Sequence, residues 1–292
     1  MAAQAAVEPA AEVRPSPDPS DGATVQRQVI LITGSTDGLG REVARRLAAT
    51  GAHIIVHGRN RERGEGLVAE IERAGQGSAA FYPADLGSLD EVRALAAAIQ
   101  RDYDRLDVLV NNAGIWLARS DERPTSADGH ELHFAVNYLA GFLLTHLLKP
   151  LLLQSAPARI VNVASMAQTP IDFDDVMLES GYSAGRAYGQ SKLAQVMFTF
   201  DLARELDGTG VTVHALHPAT LMDTPMVEEA GVRPRATVEE GAEAVVHLVT
   251  ADGLGSGGYF DGMRRARPAD QAYDEAARER LRTLSAELVG LR

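Results

Sequence analysis

Short apolar runs alternate along this chain with helix-length stretches of mixed polarity. Val29-Ile30-Leu31-Ile32 predicts a short buried strand, and Arg41 to Ala49 predicts the helix that follows it. Ile54-Ile55-Val56, the stretch around Ala80-Phe81-Tyr82, Val108-Leu109-Val110, Ile160-Val161-Asn162-Val163 and Val211-Thr212-Val213 repeat the scheme, each separated from the next by a helix-length segment. This is the βαβ rhythm of a parallel sheet, so the expected fold class is α/β, a doubly wound parallel sheet with helices on both faces. Right-handed crossovers place the strand ends and the loops after them on one edge, where ligands of open α/β sheets bind.

The 292 residues suit one such domain, expected over 28–292, with no fixed-period repeat and no second linker. Residues 1–27 break the pattern. They are rich in Ala and Pro, with Pro9, Pro15, Pro17 and Pro19 interrupting any periodicity, and they read as a disordered tail. The tail lacks the basic start and continuous apolar core of a secretory signal, and no later stretch reads as long and uncharged enough to span a bilayer, so a soluble, cytoplasmic protein is expected. A net charge of -12 argues against a nucleic-acid partner. The absence of cysteine rules out a disulfide framework, a thiol nucleophile and a cysteine-ligated zinc. His130 with His133 and His214 with His217 lack an acidic third ligand at a recognisable spacing, so no metal is expected.

Between the first strand and its helix lies Thr33-Gly34-Ser35-Thr36-Asp37-Gly38-Leu39-Gly40, a G-x-x-x-G-x-G turn. Such glycines allow close approach to a diphosphate, whose charge is favoured at a helix amino end, although a strand-to-helix turn can need glycine for its own sake. No Lys-Ser or Lys-Thr follows the glycines, which disfavours a nucleoside-triphosphate loop. The second strand ends in Val56-His57-Gly58-Arg59-Asn60. Gly58 stands where an NAD site places an acidic residue against the ribose, and Arg59 can pair with the 2′-phosphate of NADP. NADP is therefore the expected cofactor, with NAD the alternative; the competing reading of Arg59 places it with Arg61 and Arg63 in a solvated cluster, and the negative charge of Asp37 does not help to hold a phosphate.

Further along, Tyr188 and Lys192 stand four residues apart in Ala-Tyr-Gly-Gln-Ser-Lys-Leu. On a helix they share one face, so the lysine charge can favour the ionised phenol. Lys192 and Lys149 are the two lysines among 28 basic residues, which makes Lys192 less interchangeable with a surface cation.

Together these motifs resemble the short-chain dehydrogenase/reductase family from about Gln28 to the carboxyl end. Thr33 to Gly40 looks like the family's cofactor loop, Asp85-Leu86 like its adenine contact, and Asn111-Asn112-Ala113-Gly114 like the segment after strand four that supports the cofactor. Asn137, Ser165, Tyr188 and Lys192 align, in order, with the family's four catalytic positions. The resemblance implies a Rossmann fold and a hydride transfer between nicotinamide and a carbonyl or alcohol. In it Tyr188 exchanges the proton, Lys192 lowers the tyrosine pKa and binds the nicotinamide ribose, Ser165 aligns the reacting oxygen, and Asn137 holds a water that links Lys192 to solvent.

Two departures narrow the branch. The long segment Met166 to Ala187, the Gly258-Tyr259-Phe260 run and a helix expected from about Pro268 to Leu288 are similar to retinol dehydrogenase-like reductases. In His217-Pro218-Ala219-Thr220 the usual Pro-Gly is missing; Pro218 with Thr220 is expected at the nicotinamide, with Thr224 as the alternative to Thr220. A mobile cover is expected over about 220–235, with Trp116, Met166 and Gln168 as pocket neighbours and a hydrophobic or aromatic small-molecule substrate. A catalytically weak cofactor-binding regulator and a sugar-nucleotide epimerase or dehydratase are the competing readings. The four intact positions argue against the first, and the glycine spacing with no longer substrate domain argues against the second. The resemblance also implies a homodimer or homotetramer joined through the helices holding Asn137 to Leu153 and Tyr188 to Leu206, unless the carboxyl-terminal extension covers that surface.

Overall fold

The computed structural model describes residues 28–119 and 122–291. The Ala- and Pro-rich tail expected over 1–27 lies outside the described residues. Strands β1 (Val29–Ile32), β2 (His53–Gly58), β3 (Ser78–Pro83), β4 (Val108–Asn111), β5 (Ala158–Val163), β6 (Val211–His217), β7 (Gly258–Asp261) and β8 (Arg264–Arg265) form one sheet in the order β3-β2-β1-β4-β5-β6-β7-β8. Every neighbouring pair is parallel except β7 with β8, which closes the edge as an antiparallel step.

Parity along the strands sorts the core. Leu31, Ile55, Leu109, Ile160 and Val213 point to one face, where they pack with α3 (Leu89–Asp102), α4 (Ala140–Gln154) and α5 (Ala184–Glu205). Ile30, Ile32, Ile54, Val56, Val108, Val110 and Val161 point to the other, against α1 (Gly38–Ala48), α2 (Arg61–Ala74) and α7 (Val238–Thr250). Because β1 pairs with both β2 and β4, the winding reverses there, and the crevice beyond the carboxyl ends of β1 and β4 is the binding edge of such a sheet.

The first helix begins at Gly38, not at Arg41, so the last three residues of the glycine motif form its opening turn. Asp37 caps it, its Oδ1 accepting from Gly38 N at 2.8 Å. The carboxyl-terminal extension is two pieces rather than one helix: a 3₁₀ turn (Asp270–Tyr273) and α8 (Glu275–Leu288), capped by Asp274. α6 (Pro225–Glu229) lies within the expected cover.

One expectation fails on length. Asn137 falls in a π-helical turn (Phe134–Leu139) that runs into α4, and the joined helix Phe134–Gln154, 21 residues, is long and apolar enough to cross a membrane. Here it is a core helix, with Phe134, Tyr138, Phe142, Leu143 and Leu144 all packed inside the domain. Its outer side and that of α5 meet α8. The Tyr138 hydroxyl bonds Ser285 Oγ at 2.8 Å, and Arg278, only 9% exposed, donates to Asp201 Oδ1 and to Ala272 O, both at 2.8 Å.

Candidate active site

Tyr188 and Lys192 sit one turn apart on α5, a helix opened by Ser183, whose side chain accepts from Arg186 N. The Tyr188 ring packs against Trp116, centroids 5.9 Å apart, and meets the edge of His133 at 6.5 Å. Burial raises the phenol pKa, and a hydrogen bond with the Ser165 side chain draws it part of the way back. Lys192 is buried, its Nζ donating to Val163 O at 2.9 Å and Gln195 Oε1 at 3.0 Å, and it lies 5.6 Å from the centre of the Tyr188 ring. Desolvation pulls its ammonium down to about 7. The lysine donors thus go to β5 and to α5 itself.

The wider π turn aims the Asn137 amide at the loop after β4, where Oδ1 accepts from Ile115 N at 2.7 Å and Nδ2 donates to Ile115 O at 3.1 Å and to Ser191 Oγ at 2.9 Å. The side chain thereby ties that loop at Ile115 to α5. Ser165, at the end of β5, has Oγ accepting from Ala167 N at 3.1 Å, while its carbonyl accepts from Tyr259 Oη at 3.0 Å and Gln168 Nε2 at 2.8 Å. Tyr259 is a supporting residue that the sequence reading named only as part of a resemblance.

The glycine loop is held from beneath. Thr33 Oγ1 accepts from Asn112 N and Ala113 N, both at 3.0 Å, and Asn112 Nδ2 donates to Thr33 O at 2.8 Å and Gly34 O at 3.1 Å. Ser35 is fully buried; its Oγ donates to Ile32 O at 2.8 Å and accepts from His57 N at 3.0 Å. The side chains of Ser35, Asn112 and the buried Leu39 therefore build the loop. His57, missed as a site residue, accepts from Gly34 N through Nδ1 at 3.1 Å, and burial draws its pKa down to about 4, which keeps it neutral. Its place next to Gly58 at the strand end was the available signal.

Two glycines are required by space. A Cβ on Gly40 would lie 2.3 Å from Gly34 O and 2.5 Å from Asn112 Nδ2, and one on Gly58 would lie 2.6 Å from Thr36 Oγ1. The backbone of the loop is thereby left open above the amino end of α1, while Ala113 and Gly114 floor the crevice beside it, Gly114 against Asn137 and Lys192. Beyond Gly58, Arg59 is 72% exposed with Asp85 Oδ2 4.0 Å away, and Asp85 Oδ1 accepts from Gly87 N at 2.9 Å next to the buried Leu86. Arg63 pairs with Asp37, which offsets the carboxylate charge at the helix amino end.

On the substrate side, Trp116 stands where expected, and Met166 is 54% exposed. Gln168 is turned inward, between Ser165 O and Ala269 N, so it anchors the carboxyl-terminal segment instead of lining a pocket. After Pro218, Thr220 Oγ1 bonds His217 Nε2 at 3.0 Å and points to Met166 Sδ at 3.6 Å, whereas Thr224 packs its methyl against the space above Gly38. The cover is joined to the loop after β4 through Arg119 Nε, which donates to Ala230 O at 3.3 Å.

Residues 28–234 match the family model of the short chain dehydrogenases. The chain is a short-chain dehydrogenase/reductase. It is similar to human retinol dehydrogenase 12, with 38% identity over 279 residues that span 91% of this chain and 87% of that protein. Among solved structures it is similar to an uncharacterized protein from Mycobacterium paratuberculosis, with a TM-score of 0.74 and 31% identity, covering 91% of this chain and 94% of the other. It is also similar to an Escherichia coli CFT073 protein titled as a short chain dehydrogenase complexed with NADPH, with a TM-score of 0.68 and 27% identity, covering 81% and 97%. This dehydrogenase is therefore an oxidoreductase of the retinol dehydrogenase-like type, acting on alcohol and carbonyl groups with a nicotinamide cofactor.

Proposed function

We propose that the enzyme uses NADP(H) to interconvert an apolar alcohol and its aldehyde or ketone. The observation that carries this reading is the Tyr188 phenol, whose pKa is raised by burial, on one helix face with Lys192 and walled by the indole of Trp116. In the reducing direction Tyr188 donates its proton to the substrate oxygen; in the oxidising direction the phenolate takes one from the alcohol. Ser165 donates to the same oxygen and orients it. Once the phenol has lost its proton, Lys192 is the cation one helical turn away that stabilises the negative charge.

The loop's fit supports the cofactor. Gly34, Gly38 and Gly40 let a diphosphate approach the backbone at the amino end of α1, next to Thr36, with Asp37 paired to Arg63; Asp85 and Leu86 border the adenine side, Ala113 and Gly114 floor the crevice, and Pro218 with Thr220 flanks the nicotinamide end. When bound, NADPH supplies the hydride. The absence of an acid at Gly58 and the exposed guanidinium of Arg59 favour the 2′-phosphate, and a similar structure is titled as a complex with NADPH. The similarity to a retinol dehydrogenase supports a long, flat, apolar substrate such as retinol or retinal. Because α8 packs on α5 and on the π turn ahead of α4, we further read the chain as closed to self-pairing through that face.

Purified protein assayed with NADPH and with NADH against retinal, aromatic and short aliphatic aldehydes, and the matching alcohols, tests this reading. Turnover of apolar aldehydes with at least about tenfold higher kcat/KM for NADPH is expected. Tight NADPH binding without turnover across the panel would overturn it in favour of a cofactor-binding regulator.

A further inference from the structure

Next to Tyr188 lies a buried acid and base that the proton transfer does not use. Glu131 is 1% exposed and His133 not at all, and both directly precede the π turn that carries Asn137. One carboxylate oxygen of Glu131 accepts from Phe134 N at 2.7 Å, and the other lies 2.8 Å from His133 Nδ1. On the far side of the ring, Leu117 N donates to His133 Nε2 at 3.0 Å. A ring nitrogen that accepts carries no proton, so these contacts fix the tautomer, with the hydrogen on Nδ1 directed at the carboxylate. The result is an unbroken line from the π turn through two side chains to the backbone of the loop after β4.

That loop is pinned twice. Asn137 holds Ile115 by two bonds and His133 holds Leu117 by one, leaving Trp116 between the two fixed points with its ring on Tyr188. Glu131 accepts twice, from Phe134 N and from His133 Nδ1, and a twofold acceptor that fixes a tautomer sets the loop in one position.

We propose that Glu131 and His133 are positioning residues that set Trp116 against Tyr188 and thereby define the apolar wall along which the substrate lies. The proposal rests on the carbonyl reductase reading for its kinetic part, but its structural part is measurable without a substrate. Trp116 is the single tryptophan of the chain, so tryptophan fluorescence, excited selectively over the tyrosines, reports on this loop alone.

Glu131→Gln presents one acceptor oxygen to two donors. Either Phe134 N loses its partner, or the amide N–H faces His133 and turns the ring to the Nε2–H tautomer, opposite Leu117 N–H. His133→Leu keeps apolar bulk and offers no acceptor, whereas His133→Gln carries a side-chain oxygen that can accept from Leu117 N. Acrylamide quenching of Trp116 should increase in Glu131→Gln and His133→Leu and stay near the parent value in His133→Gln. With retinal, KM should rise by about tenfold in the first two while kcat falls by less, and NADPH affinity should hold. Quenching and KM equal to the parent in His133→Leu would overturn the proposal, as would His133→Gln behaving like His133→Leu. If Glu131→Gln does not fold, the two His133 variants decide. A parent enzyme that turns over no carbonyl would sink the functional reading, and the quenching series would still decide this one.

Discussion

Lys192→Met should change the stability of the free enzyme relative to the parent by an amount that depends on pH in a defined way, moving in favour of the variant as the pH falls. The folded-state pKa of Lys192 is about 7, depressed from 10.5 because its ammonium is buried with Val163 O and Gln195 Oε1 as its partners. Above both values neither the folded nor the unfolded chain holds this proton, and the residue adds no electrostatic penalty. Between about pH 10.5 and 7 the unfolded chain binds a proton that the folded chain does not, so stability falls as the pH falls. Below about 7 both states bind it and the penalty is complete. At about 1.4 kcal/mol per pH unit, the interval from 10.5 to about 7 corresponds to about 5 kcal/mol. Methionine removes this penalty and leaves two acceptors without a donor, a cost of about 1–3 kcal/mol each that does not vary with pH. The measurement is therefore the difference in unfolding free energy between parent and variant, from urea titrations at a series of pH values from about 6 to 10. That difference should grow in favour of the variant by several kcal/mol as the pH falls toward 7 and level off below it. A flat difference, or one that grows with rising pH, would refute the burial of an uncompensated ammonium.

Tyr188→Phe should lower kcat by about 10²–10⁴ while NADPH binding, followed by nicotinamide fluorescence, stays within about twofold, since the hydroxyl alone is lost; equal turnover would remove Tyr188 from the chemistry. Arg59→Ala should weaken NADPH by about tenfold and leave NADH unchanged, and Asp37→Asn should strengthen NADPH by freeing Arg63 and removing a negative charge at the amino end of α1; isothermal titration with both nucleotides checks the pair. Arg278→Met leaves Asp201 without its 2.8 Å partner and should cost about 3 kcal/mol of stability. If α8 shields α4 and α5, light scattering should give a monomer for the parent and self-association for this variant; a parent dimer of unchanged mass in the variant would contradict the shielding.

The sheet was legible because its strands are buried on both faces, so runs such as Val29-Ile30-Leu31-Ile32 and Val108-Leu109-Val110 stand out without any alternation. β8 was not, since two exposed arginines at an edge carry no apolar signal. The spacing of Tyr188 and Lys192 foretold their shared helix face, but the charge state of Lys192 depends on its burial, and its docking on Val163 O, 29 residues away, is a tertiary matter. Ser35 and Asn112 look like ligand contacts in a motif, yet whether a short polar side chain turns outward or back to the backbone is decided by neighbours such as His57 and Thr33. The line from Glu131 to Leu117 was invisible for the same reason: a histidine two residues from a glutamate has no meaning until a loop from elsewhere docks on it.

The position of α8 has a consequence for biosynthesis. Arg278 reaches its partner Asp201 across 77 residues, and Ser285 reaches Tyr138 across 147. At a translation rate of about 5–20 residues per second, the aromatic side of the long helices waits roughly 4–30 seconds on the ribosome for the segment that shelters it. During that interval Tyr138, Phe142 and Phe198 are open to chaperones, and a nascent chain stalled before Glu275 would present them permanently to the cell's quality control.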